Sequence, residues 1–296
     1  MGSVVLYSCV EVLPISKPQE SQQQSFSELS SAIHCDMPLK ILTPNCSRVL
    51  VNSTLLLTAP ALPFYPLSGS IQNILDTETS DNQILMETTT ISSVACNHPN
   101  ISLDMKCTFF ELAAYTRSIE SYVRGDTLRL DAQMMCDRRN LAQYNLMSIP
   151  STSGRHHENA LSEICRIAAI IYSIGVTFPL AGVGAPFPKL VQLLQSELKN
   201  SEILESDPQV STTNQVLLWV LTMGGIASIE KSERKWYATA LVEVMTRCQL
   251  SEWTDMRNSL KEILWLDSAC NMAGKELWKE THSIMQQQLE QEKVAM

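Results

Sequence analysis

The chain has 296 residues, 45% of them apolar and 18% charged, with a formal net charge of −9 from 31 acidic and 22 basic residues. That length fits one large domain or a domain with an arm, and the apolar fraction suffices for a sizeable core. The acidic balance argues against a folded surface that grips nucleic-acid phosphates, because such surfaces are basic.

Nine cysteines lie at 9, 35, 46, 96, 107, 136, 165, 248 and 270, no two closer than 11 residues. Their odd number and irregular spread fit no disulfide framework and predict reduced, mostly buried thiols in an intracellular protein. Three Asn-x-Ser/Thr triplets, at Asn45, Asn52 and Asn100, carry little meaning without a secretory signal. The N-terminus MGSVVLYSCVEVLP lacks a positive flank, and Glu11 stands where a small-residue cleavage site would fall, so no signal peptide is expected. Two charge-poor stretches, 167–188 and 208–229, are broken by prolines and glycines or begin with polar residues. A spanning helix needs about 20 apolar residues, so both are expected in a globular core and no membrane contact is expected.

Residues 1–100 carry 8 acidic and 3 basic residues and stretches such as SKPQESQQQSFSELSSA and ILDTETSDNQILMET. Without sustained helical or strand period, this segment is expected to be a largely disordered, low-complexity arm. The second unit, 101–296, is expected to be all-α: a multi-helix domain of helix pairs packed in an irregular bundle or a short solenoid. In KCTFFELAAYTRSIESYVRG the residues Phe109, Leu112, Ala113, Thr116, Ile119 and Val123 recur at helical spacing, with Gly125 placed for a left-handed cap. The next helix, 128–147, lines up Met135, Ala142, Leu146 and Ile149 and should stop before Pro150.

ENALSEICRIAAIIYSIGV puts Leu161, Ile164, Ala168, Ile171 and Gly175 on one face and turns apolar all round in its second half, which predicts central burial. PFPKLVQLLQSELKN reads as a short amphipathic helix with Pro188 in its first turn and Lys199 in its last. NQVLLWVLTMGGIASI reads as a buried helix whose Gly224-Gly225 pair signals either a close-packed neighbour or a kink. SERKWYATALVEVMTRC follows, with Trp236, Ala240, Leu241, Val244 and Met245 periodic. SEWTDMRNSLKEILW is expected to turn Trp253, Met256, Leu260, Ile263 and Leu264 inward. The last helix shares Ala269, Ala273, Leu277, Thr281 and Ile284 along one face.

Catalytic patterns are nearly absent. There is no G-x-S-x-G elbow and no phosphate loop. GVGAPF at 182–187 lacks a third glycine and follows a helix, so it reads as a turn. His156-His157-Glu158 has Leu161 where a zincin helix needs its second histidine, and it falls in a loop; no metal or cofactor is assigned. Cys165 has no identifiable base and reads as a core thiol. Arg138 and Arg139 read as a solvated or salt-bridged helix face rather than a phosphate grip. The five tryptophans, at 219, 236, 253, 265 and 278, all fall in helical segments. Packing is their ordinary role, and a ligand groove among Trp219, Trp236 and Trp253 is the alternative.

Four segments carry a resemblance. RRNLAQYNLMSIPS is similar to a helix-ending block of the fungal-specific transcription factor domain family. ENALSEICRIAAIIYSIGVTFPL resembles the block that follows it there, an acidic residue and an Ala-rich helix running into a Phe-Pro turn. NQVLLWVLTMGGIASIEKSERKWY resembles the family's leucine-tryptophan, glycine-glycine-alanine block with its following Glu-Arg and aromatic residue, and EILWLDSACNMAGKELW resembles its terminal helices. The blocks stand in the family's order across about residues 105–280.

The resemblance implies an α-helical regulatory domain rather than a catalyst, located in the nucleus or otherwise the cytoplasm. It implies contacts with other transcription regulators or a second copy of itself, and control of a metabolic or secondary-metabolite gene set. Proteins of the family usually carry an N-terminal six-cysteine binuclear zinc cluster that binds DNA. This chain lacks the paired C-x-x-C cysteines among Lys and Arg that such a cluster needs, so no direct DNA binding is expected. The alternatives are a helical domain that senses a small-molecule effector and a helical enzyme with an unrecognised site.

Overall fold

In the computed structural model the described residues are 54, 57, 93–126, 132–149, 160–177, 186–205, 211–229 and 231–295. Among them the fold is all-α, without strands. The helices are α1 (Ser93–Asn97), α2 (Leu103–Arg124), α3 (Ala132–Ser148), α4 (Ala160–Tyr172), α5 (Phe187–Asn200), α6 (Ser211–Ala227), α7 (Arg234–Arg247), α8 (Trp253–Lys261) and α9 (Asp267–Ala295). A π-helical turn, Ser173–Thr177, continues α4.

Local chemistry sets most of these ends. The Ser102 hydroxyl accepts from the Met105 amide and caps α2, and Gly125, at φ 81°, closes it with an amide bond back to Tyr122. Pro188 sits in the first turn of α5, where its missing N–H costs nothing, and Lys199 sits in the last.

α4 and α6 form the centre. Every residue of α4 after Ala160 is buried, and so is α6 from Val216 to its end. α6 touches not only its sequence neighbours α5 and α7 but also α1, α4, α8 and α9. A solenoid restricts each unit to its sequence neighbours, so the arrangement is an irregular bundle around one shared helix. α2 and α3 pack together on one side, and α7 and α9 pack together on the other. One apolar helical stretch, Ala160–Thr177, is long enough to cross a membrane, and 89% of it is buried inside the protein.

Gly224 and Gly225 mark close packing. A Cβ on Gly224 would overlap the Tyr237 ring, and one on Gly225 would lie 2.5 Å from Leu277 Cδ2. The first glycine therefore admits α7 and the second admits α9. Arg234 ties the same junction: its guanidinium donates to Gly225 O and pairs with Glu280 at 2.8 Å.

Several expectations change. Among the described residues, packed structure reaches into the segment read as an arm: Thr54, Ala95 and His98 are buried. The rest of the expected arm lies outside the described residues. Val123 is exposed, not inward, because the last turn of α2 runs past its partners. α8 ends at Lys261, and Ile263 to Leu266 form a buried non-helical connection, so Trp265 is not helical. All four of those side chains are buried, which one face of a surface helix cannot achieve. Of the five thiols whose burial the structure describes, Cys165 and Cys270 are buried, Cys96 and Cys248 half-buried, and Cys107 exposed.

Candidate functional site

Among the described residues, a small cleft lies where α2 meets the α8–α9 junction. It is lined by Ala113, Thr116, Arg117 and Glu120 of α2 and by Lys261, Leu264 and Trp265. Tryptophans shape the junction. Trp219 Nε1 donates to Leu264 O at 2.6 Å and fixes the connection from inside. Trp265 Nε1 donates to Asn271 Oδ1 at 2.9 Å. Gly274 lets the Trp265 and Trp253 rings lie against α9, since a Cβ there would come within 2.6 Å of one and 2.9 Å of the other.

A charged lattice closes the rim. Arg257 Nε donates to Asp267 Oδ1 at 2.9 Å, and Lys261 pairs with the same carboxylate. Burial alone would raise the Asp267 carboxyl, but hydrogen bonds from Arg257 and Lys261 outweigh it and hold the group below its ordinary value. Lys261 also faces Glu120 at 3.8 Å. Burial lowers the Arg117 guanidinium from its usual value, and the neighbouring Arg138 charge adds to this.

Thr116 Oγ1 lies 2.8 Å from both Leu112 O and Tyr172 Oη. Its own proton goes to the carbonyl, so Tyr172 donates to it. Burial keeps the Tyr172 phenol well above its usual range and pushes the Cys270 thiol up to about 12, so both stay protonated at neutral pH. The cleft's free volume is about 30 Å³, room for water, whereas small-molecule pockets run roughly 300–1,000 Å³.

No protein-family model, curated protein or solved structure matches this chain. Its own geometry is therefore the guide to the sequence-derived site residues. Trp219, Trp236 and Trp253 do not line the cleft. Trp219 is fully buried, edge-on to Phe109 at 5.4 Å and tilted toward Tyr172. Trp236 is half-buried beside Tyr237, with the Lys199 ammonium 5.2 Å from its ring centroid. Trp253 packs edge-on to Trp265 at 6.2 Å. The three have different neighbours.

Arg138 pairs with Glu111 at 3.5 Å, in keeping with a salt-bridged helix face. Cys165 is fully buried, and burial raises its thiol far from the thiolate form. His156, His157 and residues 182–185 of the GVGAPF turn lie outside the described residues.

A second polar cluster sits at the π-helical turn. Gln143 of α3 donates from Nε2 to Thr54 Oγ1 at 2.7 Å and accepts from Ser173 Oγ at 2.6 Å; Ser173 lies 3.0 Å from Thr177 Oγ1. All four side chains are buried. The sequence reading passed over this cluster because Gln, Ser and Thr are ordinary residues. The signal it held was two polar residues, Ser173 and Thr177, at the end of an otherwise apolar helix; Gln143 stands in a polar helix and gave none.

Proposed function

We propose that the chain is a regulator-like protein of the fungal-specific transcription factor type, which acts in the nucleus through protein contacts rather than through its own zinc-cluster DNA grip. One observation carries this reading. The residues on which the resemblance rests are packing residues that meet one another. Gly224 abuts Tyr237, Gly225 abuts Leu277, and Arg234 bonds Gly225 O and Glu280. Gly224, Gly225, Arg234 and Tyr237 belong to the glycine-glycine block with its following Glu-Arg and aromatic residue, and Leu277 belongs to the terminal-helix block; Glu280 lies two residues beyond it. A motif set whose members touch one another specifies a helical scaffold, which is what a regulatory domain presents to partners.

Deleting the gene and profiling transcripts, with a fluorescent tag on the intact chain, tests the proposal. A changed set of metabolic transcripts and a nuclear signal are expected. Unchanged transcripts with a signal confined outside the nucleus would overturn it.

A further inference from the structure

We infer that Cys96 and Cys107 form an oxidation-sensitive pair that staples α1 to α2. Helix α1 packs directly on α2, and Cys96 Sγ reaches Lys106 O at 3.8 Å. That carbonyl oxygen and the Cys107 Cα share one planar peptide unit, so the Cys96 sulfur lies within about 7 Å of that Cα. A disulfide joins Cα atoms about 4.4–6.8 Å apart, and a Cys96 sulfur seated beside the Cys107 peptide is compatible with that reach. α1 has only five residues, and its packing on α2 keeps the Cys96 thiol beside the Cys107 peptide. Cys107 is exposed and Cys96 is half-buried. Cys165 and Cys270 are buried, so neither competes for an oxidant.

The oxidant class is a hydroperoxide. The Cys107 thiolate attacks the outer peroxide oxygen, and the O–O bond breaks. Cys107 becomes a sulfenic acid, and the leaving alkoxide or hydroxide takes up the proton that the thiol released. The Cys96 thiol then attacks the sulfenic sulfur, the S–S bond forms, and water leaves. Two thiols are oxidised and one peroxide is reduced. The product fixes α1, and with it the His98 contact to Thr213, against α2.

Treating the reduced full-length chain with hydrogen peroxide, then digesting it without reductant for mass spectrometry, tests the pair. A Cys96–Cys107 linked peptide that lacks two hydrogens and disappears with dithiothreitol is expected. Cys96→Ser should leave Cys107 as a sulfenic acid that dimedone captures, and Cys107→Ser should abolish the linked product. Three results in the unmodified chain would overturn the inference: Cys107 staying reduced, Cys107 accumulating as sulfenic or sulfinic acid without the linked peptide, or Cys107 joining another cysteine. These readings need no variant, so they stand even where a variant folds poorly.

Discussion

Gly224 shows how a single missing methyl group positions two helices. In an open helix, Gly→Ala gains about 1 kcal/mol. Here the new Cβ would overlap the Tyr237 ring. That ring cannot retreat easily, because Tyr237 Oη donates to Val191 O at 2.7 Å from a fully buried position. Overpacking of roughly 1–3 kcal/mol should therefore win. Gly224→Ala is expected to lower the urea midpoint, and Tyr237→Leu in the same chain should recover part of the loss. Losses that simply add in the double variant would show that the two sites do not meet.

Trp219 makes a matching case for polar placement. Trp219→Phe keeps much of the packing against Phe109 but removes the donor to Leu264 O, leaving a buried carbonyl unpaired. A loss of about 1–3 kcal/mol is expected, read as a lower denaturant midpoint with an unchanged slope. No change in midpoint would mean that water replaces the indole.

At this scale the sequence was partly legible. A glycine pair inside an apolar helix announces close approach or a kink, and close approach proved right. The periodicity of that helix points to Trp236 as the inward aromatic, whereas the structure buries Tyr237 and leaves Trp236 half-buried.

Elements were legible where their ends carry chemistry. Gly125 closes α2 as its position implied, because a left-handed residue there satisfies the last carbonyls. α8 is shorter than its pattern implies, because Ile263 and Leu264 continue a helical apolar spacing although their backbone leaves the helix after Lys261. α1 was missed because five residues cannot display a period. Its anchor is His98, whose Nδ1 accepts from the Asn100 amide at 3.2 Å, so the proton sits on Nε2, 2.9 Å from Thr213 Oγ1 on α6. Burial lowers the His98 pKa below its ordinary 6.5, and the nearby Lys106 charge adds to this.

The sign follows from proton counting: the unfolded chain binds a proton more readily than the folded one. The contribution from His98 is therefore fully present above about pH 6.5 and is lost as pH falls through 6.5 toward the lowered folded value. Melting temperatures measured from pH 7.5 down to 5.5 should drop more for the wild type than for His98→Gln, which cannot titrate. Parallel curves would remove His98 from the account. The π-turn cluster makes a second test at this scale. Gln143→Leu deletes both the donor to Thr54 and the acceptor for Ser173 among buried side chains. It should cost about 2 kcal/mol or more, while Gln143→Glu should be worse at neutral pH, since it buries a charge.

Across the whole molecule, the all-α class was legible from the absence of alternating patterns, but the choice between bundle and solenoid was not. That choice depends on which helices α6 touches, and a buried helix looks the same in sequence whatever surrounds it. The α2–α8 cleft was hidden for the same reason: Arg117 and Glu120 stand far along the chain from Lys261 and Asp267, and nothing local pairs them. One consequence is testable by native-state hydrogen exchange. Local stability follows burial and contact density. α4 and α6 are covered on all sides, whereas Gln286, Gln287, Gln288 and Glu290 on the last turns of α9 are exposed. Amides of α6 around Trp219 to Ile226 should exchange slowest and together with those of α4, since both helices open only when the bundle does. Amides past Gln286 should exchange orders of magnitude faster. In a solenoid-like chain, protection would decay smoothly from the middle repeat outward and α6 would part from α9 early. Slow exchange shared by α4, α6 and the first half of α9, with one cooperative thermal transition, is what a single core built on the Gly224-Gly225 junction requires.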